Sequence, residues 1–63
     1  MKAIRKGAIV RYIGRDELMK QYSPYTVRKK EYNLIDIYAP TRYMNGEVHK
    51  CLVSMNIKDF EII

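Results

Sequence analysis

The chain has no tryptophan, one cysteine, one histidine, three glycines and two prolines in 63 residues, and each scarcity closes off a class of protein. Cys51 alone cannot form an intrachain disulfide, and with His49 as the one histidine a four-ligand zinc site cannot be assembled. An unpaired thiol with no disulfide framework suits a reducing compartment, so the expected location is cytoplasmic. No apolar run approaches the roughly 18 residues a membrane span needs, and Met1 to Gly7 is not followed by the hydrophobic stretch of a secretory leader. Pro24 and Pro40 are isolated, and no segment is biased enough to read as linker or disorder. There is no Gly-rich phosphate loop, and Ser23 and Ser54 have no histidine at a suggestive spacing. A chain of this size buries only roughly 60% of its unfolded surface and lacks the walls of a concave pocket. The expectation is therefore one domain over 1–63 that is not an enzyme, with no catalytic residue, metal, cofactor or small-molecule substrate.

What is present is charge, unevenly placed. The net charge is +5. Residues 1–30 carry nine Lys or Arg against Asp16 and Glu17, a balance of +7, whereas residues 31–63 carry Arg42, Lys50 and Lys58 against five carboxylates, a balance of −2. The first half is the expected anion-binding side, an argument about partners and association rates rather than about fold.

Patterning predicts an all-β chain. Residues 7–13 are β-branched and aromatic between Gly7 and Gly14 and read as a first strand. Residues 15–30 read as a long ordered excursion, in which Asp16 to Tyr22 suits one or two helical turns ended by Ser23-Pro24, because the residue before proline is pushed out of the α region. Residues 31–38 form the strongest strand, interrupted by Ala39-Pro40. Asn45-Gly46 predicts a two-residue type I′ hairpin between strands 41–44 and 48–55, since that turn needs φ > 0 at both positions. Asn56 to Asp59 reads as a 3₁₀ turn, and 60–63 as the closing strand. Val10, Leu34, Ile37, Cys51, Val53, Phe60 and Ile62 are the expected core, with Tyr12 and Tyr32 at its margin.

Strand, long loop, strand, hairpin, 3₁₀ turn and final strand is an order the chain shares with one known superfamily. The residues carrying the likeness are Lys6-Gly7-Ala8-Ile9-Val10-Arg11-Tyr12-Ile13-Gly14, Lys29 to Ile35, and Leu52 to Met55 through Asp59 to Ile63. On these the chain resembles SH3-like barrels, and in detail the small SH3-like proteins of bacterial and phage genomes. The resemblance implies a five-stranded SH3-like barrel with a long loop after strand 1 and a 3₁₀ turn before the last strand. The chain departs from eukaryotic signalling SH3 domains in having no tryptophan and no acidic cluster in the long loop.

Two binding functions follow from the residues. Arg28-Lys29-Lys30 and Arg5-Lys6, with Arg11 and Arg15, form an expected nucleic-acid face, on which basic groups contact phosphates and Tyr25 stacks on bases. Tyr22, Tyr32, Tyr38 and Tyr43 lie among the same residues. The alternative is a protein partner held by Tyr22, Pro24 and Tyr25, as in a phage or mobile-element protein acting on a host factor, because Tyr, Met and Arg are enriched at interfaces. His49 reads as a solvent-facing strand residue and Cys51 as a small buried hydrophobe.

Overall fold

In the computed structural model, which describes residues 3–63, the β-branched and aromatic stretches become six strands in two three-stranded antiparallel sheets. The first sheet has β1 (Ile9–Tyr12) at its centre, flanked by β2 (Tyr25–Thr26) and β6 (Phe60–Ile62). In the second, β4 (Leu34–Arg42) lies between β3 (Lys29–Glu31) and β5 (Val48–Asn56). This corrects the expected five strands closing into a barrel: there are six, and the two sheets meet without closing.

They meet at two corners. Val27 is still bonded to the first sheet, its N–H donating to the Ala8 carbonyl and its carbonyl accepting from Gly7, while the next N–H, of Arg28, donates to Asp36 on β4. The segment 25–31 thus changes sheets between two consecutive residues. The second corner is the 3₁₀ turn Ile57–Asp59, capped by the Asn56 side chain, which accepts from Lys58 N–H. Ile57 N–H donates to the Asn33 carbonyl on one side of it and Ile13 N–H to the Asp59 carbonyl on the other.

The long excursion is more structured than a loop, since it contains α1 (Glu17–Tyr22), β2 and β3. Asp16 caps α1 by accepting from Leu18 and Met19 N–H at 2.9 and 3.2 Å, the arrangement that satisfies donors a helix start leaves free. Gly14 makes room for this start: a Cβ there would stand 2.3 Å from the Tyr12 hydroxyl, which accepts from Asp16 N–H.

Strand β4 runs through Ala39-Pro40 instead of breaking, and pairs with β5 over all nine of its residues, Leu34↔Asn56 to Arg42↔Val48. Tyr43 N–H donates to the Glu47 carbonyl, so alternation makes the odd-numbered residues of β4 the ones bonded to β5. The ring nitrogen of Pro40 therefore faces the other edge, beyond the end of β3, where no ladder donor is required. The hairpin loop is also corrected. Only Gly46 has φ > 0 (+88°), Gly46 N–H donates to the Tyr43 carbonyl, and the Asn45 side chain accepts from Glu47 N–H. Met44-Asn45-Gly46 is thus a three-residue loop with glycine in the left-handed position. The described residues measure 42 × 18 × 15 Å.

Val10, Met19, Tyr25, Val27, Ile35, Ile37, Ala39 and Phe60 form the core between the sheets, with α1 contributing Met19. Phe60 meets Tyr12 and Tyr25 edge-on, at centroid separations of 5.6 and 6.2 Å. Of the expected core, Val10, Ile37 and Phe60 are buried, while Cys51, Val53, Ile62 and Tyr12 are half-buried. Leu34 and Tyr32 are corrections. Leu34 pairs with Asn56 on the outer face, and Tyr32 projects from the β3–β4 turn, 87% exposed and with φ of +54°.

Candidate nucleic-acid interface

The change of sheet at Arg28 sends that side chain to the outside of the body, where it meets residues from distant parts of the chain. Its guanidinium lies over the Tyr38 ring, 5.2 Å from the centroid. Tyr38 is on β4, on the face of even-numbered residues that also carries Lys50, the cross-strand partner of Pro40. Lys50 reaches back so that its ammonium lies 6.0 Å from the centre of the Tyr22 ring at the end of α1. Tyr22, Pro24, Thr26, Arg28, Tyr38 and Lys50, with Tyr25 as floor, enclose a groove of about 220 Å³. A second depression of about 370 Å³, lined by Lys6, Gly7, Thr26, Val27 and Arg28, shares Thr26 and Arg28 with it.

The two form one surface with three cations, two available tyrosine rings and no carboxylate, histidine or cysteine in its lining. Tyr22 is 39% exposed and Tyr38 47% exposed, so both residues remain open to solvent. Cations over rings are attracted by about 0.5–1 kcal/mol at exposed sites, too little to hold them against a phosphate.

Of the residues expected on the nucleic-acid face, Lys6 and Arg28 line this surface. Arg11 is paired across strands with Glu61, its register partner on β6. Lys29 stands 3.8 Å from Glu31, and Lys30 is exposed on β3 opposite Ile35. Arg15 is exposed in the segment before α1, and the Arg5 carbonyl accepts from Ala8 N–H in a turn.

Tyr25 is the clearest correction. It is 6% exposed, its hydroxyl donates to the Met19 carbonyl at 2.6 Å, and burial, with Asp16 and Tyr12 adding to it, pushes its phenol up to about 12. It cannot offer a face for stacking. Tyr22 and Pro24 of the alternative protein-binding set lie in the same groove, so the two sets overlap in space.

Lys50 was not expected here. It belongs to the acidic half of the sequence, and only the pairing of β4 with β5 places it beside Tyr22. The available signal was the strand alternation that puts Lys50 and Leu52 on one face.

A separate groove of about 320 Å³ on the outer face of the second sheet is lined by Lys29, Glu31, Tyr32, Leu34, Asp36 and Ser54. There the Ser54 hydroxyl donates to Asp36 at 2.5 Å, and Asp36 faces Lys29 in the β3–β4 register. On the hairpin, His49 Nε2 lies 2.9 Å from Glu47 and its ring is 4.3 Å from that of Tyr43. Cys51 is half-buried with its Sγ 3.9 Å from the Tyr43 hydroxyl, a contact that raises the Tyr43 phenol. No group of three metal-ligating side chains occurs among the described residues, and no described helix is long and apolar enough to cross a membrane. In comparisons with known proteins, no family model, curated protein or solved structure matches the chain.

Proposed function

We propose that the chain is a small non-enzymatic binding module that holds single-stranded nucleic acid along the Lys6–Arg28–Lys50 surface. The observation that carries this reading is a groove in which two half-exposed tyrosine rings are each attended by a cation and no carboxylate intervenes. Bases stack on Tyr38 and Tyr22, while Arg28, Lys50 and Lys6 exchange ring contacts or water for phosphates. Stacking on an aromatic side chain contributes about 1–3 kcal/mol per base and tolerates any sequence. Each phosphate neutralised releases counterions, so affinity falls as salt rises.

The finer reading of the fold belongs to the same proposal. Two sheets sharing corners at Val27–Arg28 and at Ile57–Asp59 support reading the chain as an SH3-like arrangement that is not closed into a barrel. A protein partner is the second reading, favoured by Tyr22 and Pro24 at the groove rim.

Fluorescence anisotropy with labelled single strands and duplexes, over a range of salt, tests the proposal. Single strands should bind more tightly than duplex, with log affinity falling linearly in log salt. Replacing Arg28 with Ser should flatten that slope by about one phosphate contact. Absence of binding to DNA or RNA at low salt would discard the proposal, and a partner whose capture from lysate survives both nuclease and salt would replace it.

A further inference from the structure

The bonding pattern of the second sheet leaves the outer edge of β5 unsatisfied. Odd-numbered residues of β5 bond to β4, so Val48, Lys50, Leu52, Ser54 and Asn56 turn their backbone N–H and C=O groups outward, and among the described residues no backbone bond reaches them. The other edges are short or charged: β2 has two residues, β6 has three including Glu61, and β3 is Lys-Lys-Glu. The far edge of β4 contains Pro40 and lies beside α1. Among the described residues only β5 offers a nine-residue edge with a single Lys and no carboxylate, without the proline or clustered charge that usually blunts such edges.

We propose that β5 pairs antiparallel with β5 of a second copy of this chain, with Leu52 on the two-fold axis. The strand runs from Val48 to Asn56, so Leu52 is its midpoint, and this register alone pairs its whole length while setting outward-facing residues opposite one another. Val48 then faces Asn56 of the second copy, Lys50 faces Ser54, and Leu52 faces Leu52. The two lysines are kept apart, and each comes opposite a serine that is bonded to the Asp36 carboxylate. Shifting the axis to Lys50 would oppose like charges, a destabilising arrangement. Leu52, 53% exposed, lies beside Tyr38, 47% exposed, so pairing joins two half-covered Tyr38–Leu52 couples into one apolar stripe across the axis.

The result is a continuous six-stranded sheet, closed at both ends by the charged β3. Paired residues point to the same side, so the faces carrying Tyr38 and Lys50 of both copies look the same way. The association does not depend on the proposed ligand. If that ligand is a single strand, two grooves on one side allow it to be held twice, raising avidity without a new contact.

Sedimentation equilibrium of the full chain, without nucleic acid and with reductant keeping Cys51 a thiol, tests the pairing. The mass should rise from 7.5 kDa to twice that as concentration increases to about 1 mM. Hydrogen exchange should show the amides of Lys50, Leu52 and Ser54 gaining protection with concentration, while those of Cys51 and Val53, bonded to β4, are protected throughout. Leu52→Lys, at an exposed position, should keep the wild-type circular dichroism and weaken the dimer by about tenfold or more. A monomer at every concentration overturns the proposal. So does a dimer that Leu52→Lys leaves intact and in which those outward amides exchange freely.

Discussion

Arg28 and Lys29 are adjacent in the chain, yet they serve two grooves of opposite character. Arg28 lines a surface with three cations and no carboxylate, and its charge rests against a tyrosine ring. Lys29 lines a groove with Glu31 and Asp36, near the first and opposite the second in register. An exposed ion pair is worth only about 0–1 kcal/mol, but it places the neutralising charge at the site, where it repels an anion. A cation with only a π-face for company lacks that repulsion. Local counter-charge, rather than the density of lysine and arginine along the sequence, therefore separates the two surfaces.

The most damaging change removes what both grooves stand on. Phe60 is 5% exposed and packs against Tyr12 and Tyr25, so Phe60→Ala should lower stability by about 3–5 kcal/mol and abolish both surfaces together, as read by urea denaturation. A variant that melts like the parent would place Phe60 outside the shared core.

Next in size, Tyr38→Ala should weaken single-strand binding by about 1–3 kcal/mol and duplex binding by less. Leu34→Ala, in the other groove, should leave both unchanged. Equal losses from the two substitutions would erase the distinction between the grooves.

A finer contrast sets Arg28→Ser against Lys29→Ser. Each removes one charge, but only the first should reduce the salt slope by about one. Titrations at several salt concentrations measure it.

The smallest effect at neutral pH belongs to Tyr25→Phe, which loses the bond to Met19 and about 0.5–1.5 kcal/mol of stability. Because the folded-state phenol is raised from 10.0 to about 12, the folded chain keeps its proton where the unfolded chain releases it. The stability from this group is present in full below pH 10 and is lost as pH rises from about 10 towards 12. Tyr25→Phe should make the alkaline melting curve shallower over that window.

Much of this architecture was legible locally. Asp16 and Ser23-Pro24 bracket α1 at positions where the chemistry of capping and of proline acts within a few residues. Asn45-Gly46 marks the hairpin and Asn56 the 3₁₀ turn for the same reason. Pro40 misled because its effect depends on which side of β4 its nitrogen faces, and that is fixed by pairing with residues ten positions away. Tyr25 misled because β2 has two residues, too few for alternation to say which side is inward. Of the site, Lys6 was visible in the Arg5-Lys6 pair and Tyr22, Pro24 and Arg28 as residue types close together in sequence, whereas Lys50 enters through the β4–β5 register and Arg11 leaves through its pairing with Glu61. Charge counted by halves of the chain cannot see either exchange.

The pairing of β1 with β6 carries a consequence in time. β4 and β5 join residues separated by one short loop, whereas Val10 meets Ile62 only after nearly the whole chain has been brought round. Closing a long loop costs more entropy than closing a short one, and contacts distant in sequence slow folding. The order of assembly should run from hairpin to clasp, with the long hairpin formed early and the strand ends joined last. Unfolding should begin where folding ends, at Phe60–Ile62, and a chain cut before Phe60, lacking residues 60–63, should retain a hairpin while losing the sheet centred on β1.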